Sequence, residues 1–383
     1  MHEKFITFGI GGCGCTIAHK VAELTAMKAI CIDTDVTSLE NKEADCQTVL
    51  LGEDRFEGLG TGGDVASARM AAIDFKPEFR KLLKSYSLAI VVTGIGGGTG
   101  SAITPTLLEV AREMSIPTMT FIVFPFSMEG SDKNKVANAA VSNITKHADI
   151  YCYFKNDDLS GSFLTSSGAS LYDAMADANL HIISGITMFW RMMTKPGYIN
   201  LDLSTLINCT KKGRGQFYLC KSKAYGENRT QNAINELINS HSGVFDHASE
   251  TALALLGIIG GQDLRLCEIG DVVSNLSLQL TPNVPIKLGT VIEQDANGSI
   301  EIIAILFKNW VEQYESAPQK ATEPQQTIGM LTNAINQTQG NAGSKSAQNQ
   351  ATISSKFTGT QPFIYNGENL DDPTYLRKRI PIS

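Results

Sequence analysis

The chain has 383 residues, enough for two domains of ordinary size with a remainder. Hydrophobic residues make up 43%, which supplies a sizeable core and excludes a wholly disordered chain. With 32 basic against 39 acidic side chains, the net charge of -7 excludes a general pull toward nucleic acid or anionic membrane.

The first residues run into a strand-like segment with no basic leader, and no stretch approaches the roughly 18 apolar residues of a membrane span. Secretion and membrane spanning are therefore not expected. Eight cysteines without paired CxxC spacing read as reduced cytosolic thiols, not as a disulfide framework or zinc site. Short apolar runs predict strands at Phe5–Ile10, Ala29–Ile32, Leu88–Thr93, Thr118–Phe124 and Ile150–Phe154. Near-continuous apolar runs suit strands buried on both faces of a parallel sheet, and Ile17–Lys28 and Ile103–Glu113 are long enough for crossover helices. Residues 170–194 predict one long helix, ended by Pro196-Gly197 because proline cannot continue it. Beyond about residue 205, strands at Gln216–Cys220, Thr251–Ile259, Ile286–Val291 and Ile300–Phe307, with helices near 228–241 and 267–279, predict a second, smaller α/β domain.

Residues 316–355 contain no aromatic or cysteine and are crowded with Gln, Asn, Ser, Thr and Ala. Such a segment buries too little apolar surface to offset its ordering entropy and reads as a flexible linker. Aromatics return at Phe357, Phe363 and Tyr365, ahead of Asn369-Leu-Asp-Asp-Pro-Thr-Tyr-Leu-Arg-Lys-Arg379. A patterned end after a featureless tether predicts a docking peptide.

Two glycine-rich turns carry the chemistry. The first, Gly9-Ile-Gly11-Gly12-Cys13-Gly14-Cys15-Thr16, follows the first strand and satisfies G-x-G-x-x-G, a backbone that lets an anion approach a helix N-terminus. Asp33, ending the second strand, mimics the ribose-binding acid of a dinucleotide fold. The second, Thr93-Gly-Ile-Gly96-Gly97-Gly98-Thr99-Gly100-Ser101, puts three consecutive glycines before a helix, a nest for a di- or triphosphate to which Thr99 and Ser101 add hydroxyls. No Gly-Lys-Ser/Thr follows, so it is not a Walker P-loop.

At these motifs the sequence resembles the tubulin/FtsZ superfamily, whose hallmark is GGGTG before a small residue, and the resemblance covers nearly the whole chain. It implies a GTPase domain of doubly wound α/β type with a mostly parallel sheet, a long central helix, a second smaller α/β domain and a disordered C-terminal tail. The implied boundaries are 1–169, 170–195, 196–314, 315–362 for the linker and 363–383 for the partner-binding peptide. The implied ligands are GTP or GDP with Mg2+. The first nucleotide loop is Gly11, Gly12, Cys13, Gly14, Cys15 and Thr16, with Thr16 where the family has Asn. Cys31-Ile-Asp-Thr-Asp35 resembles an Asn-Thr-Asp loop, placing Asp35 at the nucleotide. Gly58-Leu-Gly-Thr-Gly62-Gly63 is similar to the loop that senses the terminal phosphate, and Gly96, Gly97, Gly98, Thr99, Gly100 and Ser101 form the hallmark. Pro125-Phe-Ser-Met-Glu129-Gly130 puts Glu129 near the ribose, with Lys133 in place of an Arg. Asn156-Asp157 matches a Pro-Asn-Asp segment, placing Asn156 at the nucleotide, and Asn179 of the long helix falls at a guanine-contacting position, with Met175 and Leu180 nearby at the nucleotide. Met175 stands where the family has an aromatic, and Leu180 where it has an aspartate.

The segment after the long helix, Asn200-Leu-Asp202-Leu-Ser-Thr205, resembles a loop that head-to-tail stacking inserts beside the neighbour's terminal phosphate. Asn200 and Asp202 match, but Thr205 replaces a second acid. A threonine is no water-orienting base, and losing a general base costs about 10²–10⁴-fold, so hydrolysis is expected to be slow. Residues Leu370, Asp371, Pro373, Tyr375, Leu376, Arg377 and Lys378 are similar to the family's terminal peptide, which tubulins lack. The resemblance implies a filament of the bacterial division ring, cytoplasmic and near the membrane, tethered by division proteins that bind this peptide. Two other readings stay open: a weakly hydrolysing accessory paralogue, and a nicotinamide-dependent dehydrogenase built on the first turn alone.

Overall fold

A computed structural model describes residues 4–42, 45–159, 170–201, 203–308, 311–312, 364–365 and 368–369. Residues 1–315 form one unit and 316–383 a second.

The first unit opens with β1 (Phe5–Ile10), α1 (Gly11–Leu24), β2 (Lys28–Asp33), β3 (Gln47–Leu50), α2 (Val65–Asp74), α3 (Lys76–Leu83), β4 (Leu88–Gly94), α4 (Gly98–Glu113), β5 (Thr118–Phe124), α5 (Ser131–His147) and β6 (Ile150–Lys155). These strands pair in parallel in the order β3-β2-β1-β4-β5-β6. Alternate side chains leave opposite faces of a strand, and both faces here are apolar. Leu88, Ile90, Val92, Met119, Phe121 and Val123 feed one core cluster, while Ile6, Phe8, Ile10, Ala89, Val91 and Ile122 feed another beneath α4 and α5. That is why the runs lack polar alternation.

The long helix α6 (Leu171–Thr194) has 24 residues, about 36 Å at 1.5 Å per residue. It starts at a capping box: the Asp173 amide donates to Ser170 Oγ at 3.1 Å and the Ser170 amide to Asp173 Oδ2 at 3.3 Å. Its end at Lys195 is extended, as the residue before a proline prefers. Then follow α7 (Leu203–Lys212), β7 (Gly213–Tyr225), α8 (Arg229–Ser240), β8 (Thr251–Gly260), α9 (Leu266–Gln279), β9 (Ile286–Ile292), β10 (Ser299–Lys308) and β11 (Val311–Glu312). The sheet continues as β6-β7-β10-β8-β9, with β7-β10 and β10-β8 antiparallel and β11 beside β7.

Helix α6 is sandwiched between the two halves. Ile182, Ile186 and Phe189 share one cluster with Phe121 of the first sheet and Ile303, Ile305 and Phe307 of the second. Gly185 permits the close approach, since a Cβ there would lie 2.6 Å from Leu219 Cδ2. Arg191 locks the helix to the second sheet, donating through Nε to Glu293 at 3.1 Å and through Nη1 to Glu301 at 2.6 Å.

The expected strands are all present, but helix α1 begins at Gly11, six residues before the expected Ile17, and ends at Leu24, because Lys28 already belongs to β2. Helix α4 likewise starts at Gly98, not at Ile103. Glycine propensity delays the predicted starts; packing against the strands overrides it. Edge strand β3 was not anticipated, being short and only half-buried. In the second unit the described residues form a small antiparallel pair, β12 (Ile364–Tyr365) with β13 (Glu368–Asn369). Among the described residues no helix is long and apolar enough to cross a membrane.

Candidate functional site

Strand β1 lies where the sheet order reverses, and its neighbour β4 pairs with it in register, Ile10 opposite Thr93. Both glycine turns therefore emerge side by side at the carboxyl edge of the sheet, at the switch point where α/β folds bind ligands. Between them lies a cavity of about 420 Å³. Its floor is Gly11, Gly12, Cys13 and Thr16 from one turn and Gly97, Gly98, Thr99 and Gly100 from the other; Glu129, Lys133, Asn156, Met175 and Asn179 close the sides.

The glycines divide by what a side chain would meet. Gly11 and Gly96 have φ of +75° and +104°, a region that L side chains rarely adopt. A Cβ at Gly14 would stand 2.3 Å from Val92 O, and one at Gly100 would stand 2.1 Å from Gly94 O, so these two let helices sit on strands. A Cβ at Gly97 would meet nothing within 4 Å, because that backbone opens into the cavity. Gly97 and Gly98 lead into α4, whose first amides have no partner within the helix. Thr61 covers them, since a Cβ at Gly98 would lie 2.1 Å from Thr61 Oγ1.

The second turn is braced from below. Ile95 donates its amide to Val123 O at 2.9 Å, and Gly96 donates its own to Ser101 Oγ at 3.0 Å. Thr99 Oγ1 lies 2.8 Å from Thr34 Oγ1. On the far wall, Glu129 Oε1 accepts from the Phe126 amide at 2.8 Å while Oε2 pairs with Lys133 Nζ at 3.0 Å. Asn156 is 8% exposed, and its Oδ1 has no hydrogen-bond partner, an orphaned acceptor at the cavity wall. The Cys13 thiol, whose Sγ is 4.0 Å from Asn179 Oδ1, is pushed up to about 12 by burial and then by the charge of Glu129. It is a neutral group at any physiological pH.

Several expected contacts lie elsewhere. Cys15 is buried, its thiol directed at the carbonyls of Gly9 and Ile32, and Gly14 is packed under β4. Ser101 is buried as a brace and does not line the cavity. Asp33 is no ribose acceptor: it is 3% exposed and accepts from the amides of Thr34 at 2.7 Å and Asp35 at 3.3 Å, and burial raises its pKa. Asp35 turns to its own loop, accepting from the Thr37 amide at 2.9 Å and bridging to Leu59. Gly62 and Gly63, beyond Thr61, are outside the lining as well. Leu180 faces a second cavity, because one residue further round α6 turns it away from Asn179. Asn200 is exposed and Thr205 half-buried, both past the far end of α6. Their segment is stitched to β9 by Ile199 donating to Thr290 Oγ1 at 2.9 Å and Thr290 donating to Ile199 O at 2.7 Å. Asp202 and the peptide Leu370, Asp371, Pro373, Tyr375, Leu376, Arg377 and Lys378 lie outside the described residues.

Sequence reasoning missed Gly94, Ile95, Val123, Phe124 and Pro125 as lining residues. The signal was available: they end β4 and β5 or follow them directly at the carboxyl edge of the sheet.

Residues 4–163 match the Tubulin/FtsZ family, GTPase domain, and residues 215–308 match the FtsZ family, C-terminal domain. The chain belongs to the FtsZ family. The cell division protein FtsZ of Buchnera aphidicola is 27% identical over 372 residues, which is 96% of this chain and 94% of that protein. The cell division protein FtsZ 1 of Pyrococcus furiosus is 26% identical over 330 residues, 85% of this chain and 87% of its own. An FtsZ dimer from M. jannaschii, solved empty, superposes with a TM-score of 0.72 at 25% identity, covering 80% of this chain and 88% of that one. FtsZ-family geometry thus accounts for both glycine turns, the second of which a dinucleotide fold does not require.

Proposed function

We propose that the chain binds GTP and GDP in this cavity, assembles head to tail, and hydrolyses GTP at a site completed by the next subunit. The observation that carries this reading is a separation. The glycine turns open on one cavity, while Asn200 and Thr205 lie beyond the opposite end of a helix about 36 Å long. One chain cannot bring them together; a stack of chains can, through a heterologous contact that propagates.

In this reading the amides of Gly12 and Gly97 to Gly100 hold the phosphates, with Thr99 beside them. Glu129 and Lys133 face the ribose, and Asn156, Asn179 and Met175 face the base. The open backbone at Gly97 and the orphaned Asn156 Oδ1 both suit such a ligand. Gly62 and Gly63 adjoin Thr61 over the second turn, where a terminal phosphate reaches. Magnesium, when bound, neutralises charge on the phosphates. Among the described residues no group of three or more His, Cys, Asp or Glu is placed to hold a metal.

Asn200 and Asp202 orient the attacking water on the neighbour's nucleotide, and Thr205 leaves that step short of a carboxylate. We assign 1–169 to nucleotide binding, 170–195 to the central helix, 196–314 to completing the neighbour's site, 315–362 to a tether and 363–383 to docking. The docking peptide places Leu370, Tyr375 and Leu376 as apolar anchors, with Arg377 and Lys378 as electrostatic support, on partners at the division site. Phosphate release measured against protein concentration, with sedimentation of the same samples, tests the reading. Activity that rises above a critical concentration together with pelleting supports the shared site; GTP causing neither refutes it. Pelleting with negligible release selects the accessory reading, which a threonine in place of the second acid at position 205 favours.

A further inference from the structure

Thr34 follows β2 directly and is fully buried, and three loops meet on it. Its amide donates to Asp33 Oδ1 at 2.7 Å, its carbonyl accepts from the Gly60 amide at 3.1 Å, and its Oγ1 lies 2.8 Å from Thr99 Oγ1. Asp33 is pinned in turn. Its carbonyl accepts from the Leu51 amide at 2.8 Å, and its carboxylate accepts from the Asp35 amide at 3.3 Å as well as from Thr34. Hydrogen bonds on both sides thus fix the backbone of Thr34, and its hydroxyl stays against the second glycine turn.

Two threonine hydroxyls 2.8 Å apart share one hydrogen bond, in which either oxygen can be the donor. The surroundings decide which. Among the described residues no acceptor other than Thr99 Oγ1 lies within hydrogen-bond distance of Thr34 Oγ1. If Thr99 were the donor, the Thr34 proton would be left inside the protein with nothing to receive it, and a buried donor without a partner is costly. With Thr34 as donor, each proton has a place. The Thr34 proton goes to Thr99 Oγ1, and the Thr99 proton is left for the cavity that Thr99 lines. Thr99 is the second residue of α4, among the first amides that have no partner within the helix. Its hydroxyl joins them as one more donor.

We propose that Thr34 is a positioning residue for the phosphate turn: by donating to Thr99 Oγ1 it commits the Thr99 hydroxyl to donate into the cavity, toward a phosphate oxygen. The proposal rests on the reading of this cavity as the nucleotide site. A hydroxyl without such a constraint has three staggered settings, of which one serves the ligand. Donation by Thr34 also polarises the Thr99 O–H, which strengthens its bond to an anion. The same residue holds Gly60, and Thr61 next to it covers Gly98, so the loop over the turn and the turn itself are both referred to one buried residue.

The probe is a fluorescent, non-hydrolysable GTP analogue, titrated into the full chain at concentrations too low for pelleting. Thr34→Val keeps the shape and removes the hydroxyl, and affinity should fall at least about threefold, one setting in three. Thr34→Ser, which restores the donor, should stay within about twofold of wild type. In a Thr99→Val background the Thr34→Val change should cost nothing further, because the group it positions is gone. A merely structural Thr34 would weaken binding equally in both backgrounds. Thermal unfolding without nucleotide checks that each variant is folded, and Thr34→Ala takes the place of valine in both backgrounds if valine is not accepted. A smaller loss in Thr34→Val, no rescue by serine, an equal loss in the Thr99→Val background, or wild-type affinity in Thr99→Val alone overturns the proposal and leaves GTP binding standing. No binding of the analogue to the wild type overturns the nucleotide reading, and the proposal falls with it.

Discussion

Gly97→Ala and Gly14→Ala are chemically the same change, one methyl group on a glycine of a phosphate turn, yet the structure assigns them opposite consequences. At Gly97 the backbone is extended, with φ of -94° and ψ of 175°, and an added Cβ meets nothing within 4 Å. Alanine fits without strain, so the loss of unfolded-chain entropy stabilises by roughly 0.4–1 kcal/mol. Gly97 is also the N-cap of α4, where alanine is poorer than glycine by a similar amount. The two offset, and stability should stay within about 0.5 kcal/mol of wild type. The methyl group, however, projects into the cavity where the proposed phosphates reach the amides of α4, so GDP affinity should fall at least about tenfold, or 1.4 kcal/mol. At Gly14 the new Cβ would lie 2.3 Å from Val92 O, a backbone atom that cannot rotate away. Helix α1 must shift off β4, with an overpacking cost of about 1–3 kcal/mol. The assays are thermal unfolding without nucleotide and titration with a fluorescent GDP analogue. A Gly97→Ala protein that binds GDP within twofold of wild type would refute the placement of phosphate on this turn.

Thr205→Asp should raise phosphate release at saturating GTP by at least tenfold under polymerising conditions, because it restores a carboxylate to the water-orienting segment; an unchanged rate removes Thr205 from the mechanism. Arg191→Met should destabilise by about 2–4 kcal/mol in urea unfolding, since it strands Glu301, 7% exposed, with Lys223 as its remaining partner; a change under 0.5 kcal/mol shows that the lock is decorative. The Arg229 guanidinium beside Glu268 holds that carboxyl at about 2, against an ordinary 4.5. A depressed folded-state value contributes stability above pH 4.5 that is lost as pH falls toward 2, on the order of 2–3 kcal/mol, and Glu268→Gln should flatten that limb of the unfolding curve. Deleting residues 369–383 should leave GTP-dependent pelleting intact and abolish recruitment to the division site, and loss of both contradicts the modular assignment.

Strands were legible wherever burial was two-sided. Phe5–Ile10 and Thr118–Phe124 carry no turn residue except Gly9, and their apolar runs match the observed bounds. Gln47–Leu50 was not legible, because an edge strand with one exposed and three half-buried residues has neither a continuous run nor clean alternation. Helix starts were misread where a helix follows a glycine turn, at α1 and α4, whereas α6, α8 and α9 begin within a residue of expectation. Gly11, Gly12 and Gly14 read as turn, yet they form the first turn of α1, since that helix is held by its contact with β1 and β4 and not by local propensity.

The candidate site shows the same limit at finer grain. A glycine run announces that backbone must come close to something, and it does not say to what. Val92 O claims Gly14, Gly94 O claims Gly100, and Gly97 alone of these three is left for a ligand. Ser101 and Thr99 are both hydroxyls of one turn, but the amide of Gly96 engages the first while the second lines the cavity. Asn179 and Leu180 are adjacent letters, and a turn of roughly 100° per residue sends them to different cavities on either side of α6. In each pair the chemistry is written in the sequence and the direction is not. Direction comes from the switch point between β1 and β4 and from the rotation of one long helix wedged between two sheets. The residues that need the most packing to be aimed are therefore the ones a sequence identifies by type and leaves undirected.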